Sequence, residues 1–322
     1  MKSKGKRLLI LGATAGEISL VKRAQEFGIY VIVTDNHKDY SLAPAKYIAD
    51  EAWDISWSDI DLLEKKCVDN HIDGVLAGYS EFRVENMIKL CERLNLPCYI
   101  NSEQLDITRD KIKFKECCRR YGVPVVREYK SIEEVDKFPV IVKPTDRAGS
   151  IGISIANNLK ELEKAYQYAY EMSVEKRVII EEYIYKADKV DFYYLAENGQ
   201  LTLLTSCDTI NAKNNGFSKV VQSAWLYPEK NLKSYNLKVK ENIEKMIHGM
   251  NIKYGCVFFS GFVDENNEFV FFECGYRLEG AHQYYYSQKR GPLNFLDTFI
   301  FHSLYGNTSM VKRTSINENM KC

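Results

Sequence analysis

The sequence predicts an α/β protein, with an N-terminal parallel-sheet unit followed by a larger α+β region. Two observations support this prediction. Short apolar runs alternate with helix-like stretches up to about residue 102, and later apolar runs are joined as hairpins, one of them around Asn198-Gly199. The 322 residues leave room for about two domains of ~150 residues each.

The N-terminal unit alternates strand and helix patterns in order. The strands RLLILG, IYVIVTD, DGVLAGYSE and a short CYIN are separated by the helices ISLVKRAQEFG, DLLEKKCVDNHI and VENMIKLCERLNLP. This alternation is typical of a parallel sheet with right-handed crossovers. Such sheets bind ligands at the carboxyl ends of their strands, here Gly12 to Gly16, Asp35 and Tyr79 to Glu81. GATAGE lacks the third glycine of GxGxxG, so an NAD site is a weaker alternative.

The second region mixes helices with longer strands. Helices are predicted for SEQLDITRDKIKFKECCRRYGVP, LKELEKAYQYAYEMS, NLKVKENIEKMIHGMN and FLDTFIFHSLYG. Strands are predicted in VVREYKSIEEVDKFPVIVKP and KRVIIEEYI, and hairpins in VDFYYLAENGQLTLLTSC and CVFFSGFVDENNEFVFFE, with VVQSAWLYP extending the sheet. We therefore expect antiparallel sheets in this region.

Composition excludes several classes of protein. Lys+Arg and Asp+Glu both number 44, so no overall field attracts nucleic acid or anionic lipid, and a phosphate site must be local. No apolar run approaches the ~18 residues of a membrane span. The nine cysteines include no CxxC pair, which favours free thiols in a reducing compartment. We expect a cytoplasmic protein.

The stretch VKPTDRAGSIGI is a candidate phosphate loop. Lys143 ends an apolar strand, and the loop after it contains Thr145, Gly149, Ser150 and Gly152. Glycines allow close backbone approach, while free N–H groups and hydroxyls bind anionic oxygens. A solvated lysine before an ordinary turn is the alternative.

Other charged residues at strand ends are also candidates. Lys111 is a second cation, with a plain surface lysine as its alternative. Glu181 and Glu182 follow a strand, where carboxylates can bind an adenine amino group or a ribose, or simply form a solvated edge. Glu273 ends the apolar strand FVFF, where a carboxylate needs a cation. Arg277 can clamp a carboxylate or phosphate, and a structural Glu273–Arg277 ion pair is the alternative.

The order of these motifs resembles the ATP-grasp superfamily. DK…F…GVP, VIVKP…GSIGI, IIEEYI and FFECGYRLEG follow one another as in the branch with biotin carboxylase, the carbamoyl phosphate synthetase large subunit and purine-pathway carboxylases and ligases. The resemblance implies a Rossmann-like pre-ATP-grasp domain at 1–102 and an ATP-grasp domain of two subdomains at 103–310. It also implies a lid subdomain at about 125–183 and a tail at 311–322.

The resemblance also implies roles for single residues. Lys111 and Lys143 match the lysines that hold nucleotide phosphates, and residues 145–152 match the mobile glycine-rich loop. Glu181, Tyr183 and Ile184 match the positions that contact adenine, and Asp188 matches the acid that holds the ribose. Glu273 matches the glutamate that binds magnesium, and Arg277 matches the arginine that faces the acyl substrate.

Two positions depart from the family pattern. Ser260 or Gly261 stands where a first acidic metal ligand is expected, and Gly275 stands where asparagine is usual. Magnesium requires near-octahedral oxygen coordination, although water and nucleotide phosphates can supply most of it.

The activity implied is that of an ATP-dependent carboxylate–amine ligase, with ATP and Mg²⁺ as cofactors. Its substrates would be a small-molecule carboxylate, which is phosphorylated to an acyl phosphate, and an amine. Neither nucleic acid nor a membrane is expected as a partner. A homodimer is compatible with this activity. Two alternatives stay open. One is a catalytically weak or regulatory ATP-binding protein, suggested by Ser260, and the other is an enzyme that phosphorylates bicarbonate.

Overall fold

The structure is a computed structural model of the 322-residue chain. It describes residues 5–147, 151–184, 187–211, 222–227, 229–280, 285–286 and 294–312. Within these residues the chain forms one parallel and two antiparallel sheets, which confirms the predicted α/β and α+β fold class.

A four-stranded parallel sheet forms the N-terminal part. Its strands are β1 (Arg7–Leu11), β2 (Tyr30–Thr34), β3 (Glu51–Trp53) and β4 (Gly74–Ala77), in the order β3-β2-β1-β4. The helices α1 (Ile18–Glu26), α2 (Ile60–Asp69) and α3 (Glu81–Leu94) connect or follow these strands. Strand β1 is almost wholly apolar and buried because its sheet is covered on both faces.

A five-stranded antiparallel sheet forms the centre of the second region. Its order is β11-β10-β9-β12-β13, with β9 (Asp188–Glu197), β10 (Gln200–Asn211), β11 (Gln222–Leu226), β12 (Tyr254–Val263) and β13 (Phe269–Tyr276). Asn198 and Gly199 both have positive φ, 51° and 79°, as the predicted tight turn requires. Helices α7 (Leu232–Lys238), α8 (Lys240–Gly249) and α9 (Phe295–Tyr305) complete this part of the fold.

A smaller antiparallel sheet carries its own core. Strands β5 (Glu128–Tyr129), β6 (Val140–Pro144), β7 (Ser154–Ala156) and β8 (Val178–Glu182) lie in the order β5-β8-β6-β7, with α6 (Leu159–Met172) packed on them. Their apolar cluster is separate from the large core shared by the other two sheets. The domain boundaries at 102, 125, 183 and 310 stay predictions.

Three predicted elements differ from the structure. CYIN is not a strand, because the carbonyl of Tyr99 accepts a hydrogen bond from the Tyr276 hydroxyl at 2.7 Å instead of pairing in a ladder. The helix predicted from residue 102 divides into α4 (Ser102–Arg109) and α5 (Lys111–Arg120), because Asp110 has ψ 119° and caps the second helix. The helix predicted from residue 236 begins earlier and divides at Val239, which has φ −130°.

No helix in the described ranges is long and apolar enough to cross a membrane. The eight cysteines at positions 67 to 274 are free thiols.

Candidate active site

Lys143 lies at the end of β6, buried against a carboxylate of the neighbouring strand β8. Its Nζ is 2.5 Å from Glu181 Oε2, and the ammonium of Lys115 contacts the other oxygen of Glu181. Burial alone would raise the pKa of the Glu181 carboxyl, but Lys143 and Lys115 outweigh it and hold this pKa below its usual value. Glu181 is therefore not part of a solvated edge.

Lys111 is the first residue of α5, and the cap formed by Asp110 fixes it there. The Asp110 carboxylate accepts hydrogen bonds from the amides of Ile112 and Lys113, at 2.9 and 3.0 Å. Lys111 Nζ donates to the carbonyl of Arg147 at 2.8 Å, so its ammonium lies against the start of the predicted phosphate loop. The positive end of the α5 dipole adds to this charge.

The described part of the loop is shaped by Thr145 and Gly152. Thr145 is fully buried, and its Oγ1 has no hydrogen-bond partner among the described residues. Gly152 has φ +75°, and a Cβ there would lie 2.6 Å from Pro144 Cγ and 2.8 Å from Met172 Cβ, so this position requires glycine. Gly149 and Ser150 lie outside the described residues.

Glu273 is an exposed carboxylate that lines a pocket. Within the part of the chain that the structure describes, it makes no hydrogen bond or ion pair. The pocket is lined by Glu273 together with Glu81, Thr108, Lys111 and Arg147. Burial holds the pKa of Lys111 below its usual value, and the negative charge of Glu273 opposes that shift. The structure therefore brings Lys111 and Glu273 together.

Arg277 does not pair with Glu273, so the alternative of a structural Glu273–Arg277 ion pair is wrong. Its Nε and Nη2 both lie 2.7 Å from Glu81 Oε1, at the start of α3. Burial disfavours the charged guanidinium, but Glu81 outweighs this effect and raises the pKa of Arg277 above its usual value. Arg277 thereby joins the end of β13 to the carboxyl edge of the parallel sheet.

The residues predicted to hold the adenosine are more dispersed. Tyr183 and Ile184 are half-buried just after β8, and Glu182 is ion-paired with Lys137 at 2.8 Å. Asp188 is exposed and lies 2.6 Å from Lys230. Both acidic side chains thus have cationic partners that a nucleoside would have to displace or share.

Both departures from the family pattern have structural partners. The Ser260 hydroxyl donates to Asp191 Oδ1 at 2.5 Å, which places a buried carboxylate one strand away from the position of the expected acid. Gly275 lies opposite Phe258, and a Cβ at 275 would be 2.6 Å from Phe258 Cε1. The phenyl ring thus occupies the space that a side chain at 275 would need.

Two participants in this cluster and one pairing were missed in the sequence. Lys115 shares a helix with Lys111, but one lysine among 44 basic residues carries no signal of burial. Asp191 alternates with apolar residues in β9, and an acid within such a run was a usable signal. The pairing of Glu81 with Arg277 depends on contacts 196 residues apart, which no local pattern reveals.

The lysines Lys111 and Lys143, a loop shaped by Gly152 and the Glu273 carboxylate on an antiparallel sheet are features typical of a nucleotide-binding site. The family comparison agrees with the resemblance of the sequence motifs to the ATP-grasp superfamily. Residues 115–273 match the family model described as D-ala D-ala ligase C-terminus.

Several known proteins are similar to this chain. The 2-oxoglutarate carboxylase small subunit of Hydrogenobacter thermophilus is 27% identical over 302 residues, which cover 85% of this chain and 62% of that protein. A crystal structure shows the biotin carboxylase domain dimer of that organism's 2-oxoglutarate carboxylase in complex with MgADP, ADP and bicarbonate. It has a TM-score of 0.79 at 19% identity, and the match covers 96% of this chain and 72% of that chain.

The crystal structure of the L-amino acid ligase from Bacillus licheniformis has a TM-score of 0.73 at 19% identity. The match covers 94% of this chain and 75% of that chain. At these identities the solved structures demonstrate a shared fold.

Proposed function

We propose that the chain is an ATP-dependent ligase that phosphorylates a carboxylate and joins the resulting acyl phosphate to an amine. One observation carries this proposal. Lys111, beside the start of the phosphate loop, faces the unpaired carboxylate of Glu273 in a pocket. This places a cation for phosphate opposite an oxygen ligand of the kind that magnesium prefers.

The residues of the pocket, together with Lys143 and Thr145 in the segment that leads to Asp146 and Arg147 of its lining, fit a magnesium nucleotide. The buried Thr145 Oγ1 has no partner in the described ranges and can donate to a phosphate oxygen. Glu273 would hold Mg²⁺, which when bound neutralises phosphate charge as a Lewis acid. Lys111 and Lys143 would bind phosphate oxygens, although Lys143 first has to share its charge with Glu181.

In the proposed reaction, a carboxylate oxygen of the acid attacks the γ-phosphorus of ATP, and the bond to the bridging oxygen of ADP breaks. The amine nitrogen then attacks the acyl carbon, phosphate leaves, and the amine loses a proton. Arg277 would orient the acid, because its guanidinium is planar and already held by Glu81. Residues 145–152 would cover the phosphates and exclude water, which otherwise hydrolyses the acyl phosphate.

The substrates proposed are a small-molecule acid and a small-molecule amine. The carboxyl edge of the parallel sheet, at Gly12 to Gly16 and Tyr79 to Glu81, is the proposed binding surface for the acid. Similarity to a dimeric biotin carboxylase domain supports a homodimer, and we propose a cytoplasmic location. The chain spans 62% of the length of its carboxylase relative, so the activity of that whole protein is not transferred.

A second candidate is a regulatory ATP-binding protein. Ser260 favours it, because a neutral hydroxyl replaces the acidic ligand expected beside Glu273. A bicarbonate-phosphorylating enzyme is a third, supported by the bicarbonate complex of the similar carboxylase domain.

ADP release distinguishes these candidates. Purified chain with ATP and Mg²⁺ is screened against amino acids, other small acids and bicarbonate, each with and without a pool of amines. The ligase proposal expects ADP and phosphate to form with a particular acid, and the coupled product to require an amine. Bicarbonate-dependent turnover supports the third candidate. ATP binding without turnover of any acceptor overturns the ligase proposal in favour of a regulatory protein.

A further inference from the structure

Asp191, Ser260 and Glu273 form one row across three neighbouring strands. In the pairing register, Ser260 of β12 is opposite Asp191 of β9 on one side and opposite Glu273 of β13 on the other. Directly opposed residues of an antiparallel sheet project from the same face. The row therefore runs from a buried carboxylate, 3% exposed, through a hydroxyl to the exposed carboxylate of the pocket.

The hydrogen bonds in this row fix the direction of the Ser260 hydroxyl. A hydroxyl has one hydrogen and two lone pairs, and a carboxylate oxygen is the acceptor in its contact with a hydroxyl. The contact of 2.5 Å between Ser260 Oγ and Asp191 Oδ1 therefore uses the serine hydrogen. No described residue donates to Ser260 Oγ, and the neighbouring carboxylate on the open side is Glu273.

Asp191 is itself held in place by its neighbours. Thr209 Oγ1 donates to its second oxygen at 2.5 Å, and Lys189 Nζ lies 3.6 Å from the same atom. Asp191 thus has little freedom to swing towards Glu273. It is fixed as an acceptor for the hydroxyl of Ser260.

We infer that Ser260 is a neutral oxygen ligand for the magnesium ion at Glu273, and that Asp191 is its positioning residue. Asp191 accepts a hydrogen bond from the serine hydroxyl, which leaves a lone pair of Oγ to face the metal, and Asp191 supplies the missing negative charge one residue further out. Hydroxyl ligands to Mg²⁺ are known from phosphate-binding loops. This inference rests on the proposed function, because it takes Glu273 as the metal ligand.

The competing interpretation is that Asp191 only stabilises the sheet through Ser260, Thr209 and Lys189. A rescue experiment separates the two. In the double variant Asp191→Asn/Ser260→Asp, the negative charge moves from β9 to β12 and faces the metal directly. A metal role predicts that this exchange restores metal affinity, whereas a structural role for Asp191 gives no reason for rescue.

The measurement is the affinity of Mn²⁺ for the full chain at saturating ADP. The electron paramagnetic resonance signal of free Mn²⁺ is the readout of how much Mn²⁺ stays unbound. Asp191→Asn and Ser260→Ala should each weaken Mn²⁺ binding by about 10- to 100-fold, the usual effect of outer-shell changes. Their combination should be no worse than either alone, because both remove the same ligand. Asp191→Asn/Ser260→Asp should recover most of the affinity.

Two controls make each outcome decisive. Asp297→Asn removes another buried carboxylate, 3% exposed and paired with Arg23, and should leave Mn²⁺ affinity unchanged. If Glu273→Gln loses Mn²⁺ binding while Asp191→Asn and Ser260→Ala bind as the wild type does, the inference is overturned and the proposed function stands. If Glu273→Gln also binds as the wild type does, the proposed metal site fails. Melting temperatures verify folding, and Ser260→Ala tests the inference even if Asp191→Asn does not fold.

Discussion

Arg277 and Glu81 are joined by two contacts of 2.7 Å between the guanidinium and one carboxylate oxygen, across 196 positions of sequence. Their side chains are 12% and 18% exposed, so the pair is largely removed from water. The pair connects the last strand of the antiparallel sheet with the first turn of α3.

We expect Glu81→Gln to lower the free energy of unfolding by about 2 kcal/mol, because Arg277 loses a charged partner in a largely buried site. Glu85→Gln is the control on the same helix, since the Glu85 side chain is 34% exposed and contributes less. Urea unfolding measures both variants. Equal losses of unfolding free energy in the two variants would contradict the larger contribution expected of the Glu81–Arg277 pair.

Lys115 should be essential for stability. Lys115 and Glu181 side chains are 0% and 1% exposed, so Lys115→Met leaves Glu181 with Lys143 as its remaining ammonium contact. The expected loss is about 3 kcal/mol in urea unfolding, as is typical when one partner of a buried pair is removed. Lys113→Met, on the same helix but 43% exposed, should cost far less. A Lys115 variant as stable as the Lys113 variant would contradict this account.

We expect position 275 to require glycine because the Phe258 ring fills the space beside it, and not because of the metal. Gly275→Ala adds a Cβ against the phenyl ring, and we expect a loss of about 1–3 kcal/mol from overpacking. The same substitution should cost much less in a Phe258→Ala background, where the ring is gone. A double-mutant cycle of thermal or urea unfolding measures this coupling. A coupling energy of zero would show that the ring does not explain the glycine.

Stability should fall in mild acid because of His302. Burial lowers the pKa of this imidazole from 6.5 to about 4, so the unfolded chain takes up its proton first as the pH falls. The contribution of neutral His302 is therefore complete above about pH 6.5 and declines towards pH 4. The free energy of unfolding should therefore fall by about 2 kcal/mol between pH 7.5 and pH 5 because of His302.

His302→Phe should remove this part of the pH dependence, since phenylalanine has no proton to bind and can still pack on Tyr254. The test compares urea unfolding of the two proteins at pH 7.5 and pH 5. Parallel pH profiles for wild type and variant would contradict the assigned burial effect.

The sequence predicted the elements whose signals are local. The alternation of strand and helix predicted the parallel sheet, and Asn198-Gly199 predicted a turn that the structure confirms. The division at Asp110 was missed because a capping aspartate inside a helical pattern resembles an ordinary polar position. It matters for the site, since it places Lys111 at a helix start.

The candidate site was predicted only in part, because its partners come from distant segments. Lys143 and Glu273 were visible as charges at the ends of apolar strands. The contact of Lys143 with Glu181 depends on how β6 and β8 pair, and the contact of Ser260 with Asp191 depends on the neighbours of β12. Such pairings are set by the register of whole sheets.

The central claim is that ATP binds with its phosphates at Lys111 and Lys143, and titration calorimetry of ATP in Mg²⁺ buffer tests it most directly. Wild-type chain should bind ATP, and Lys143→Ala should bind it about 10- to 100-fold more weakly, because a charged phosphate contact is lost. Lys160→Ala, an exposed lysine on helix α6 of the same small sheet, should bind as the wild type does. ATP binding by Lys143→Ala with wild-type affinity would contradict the account.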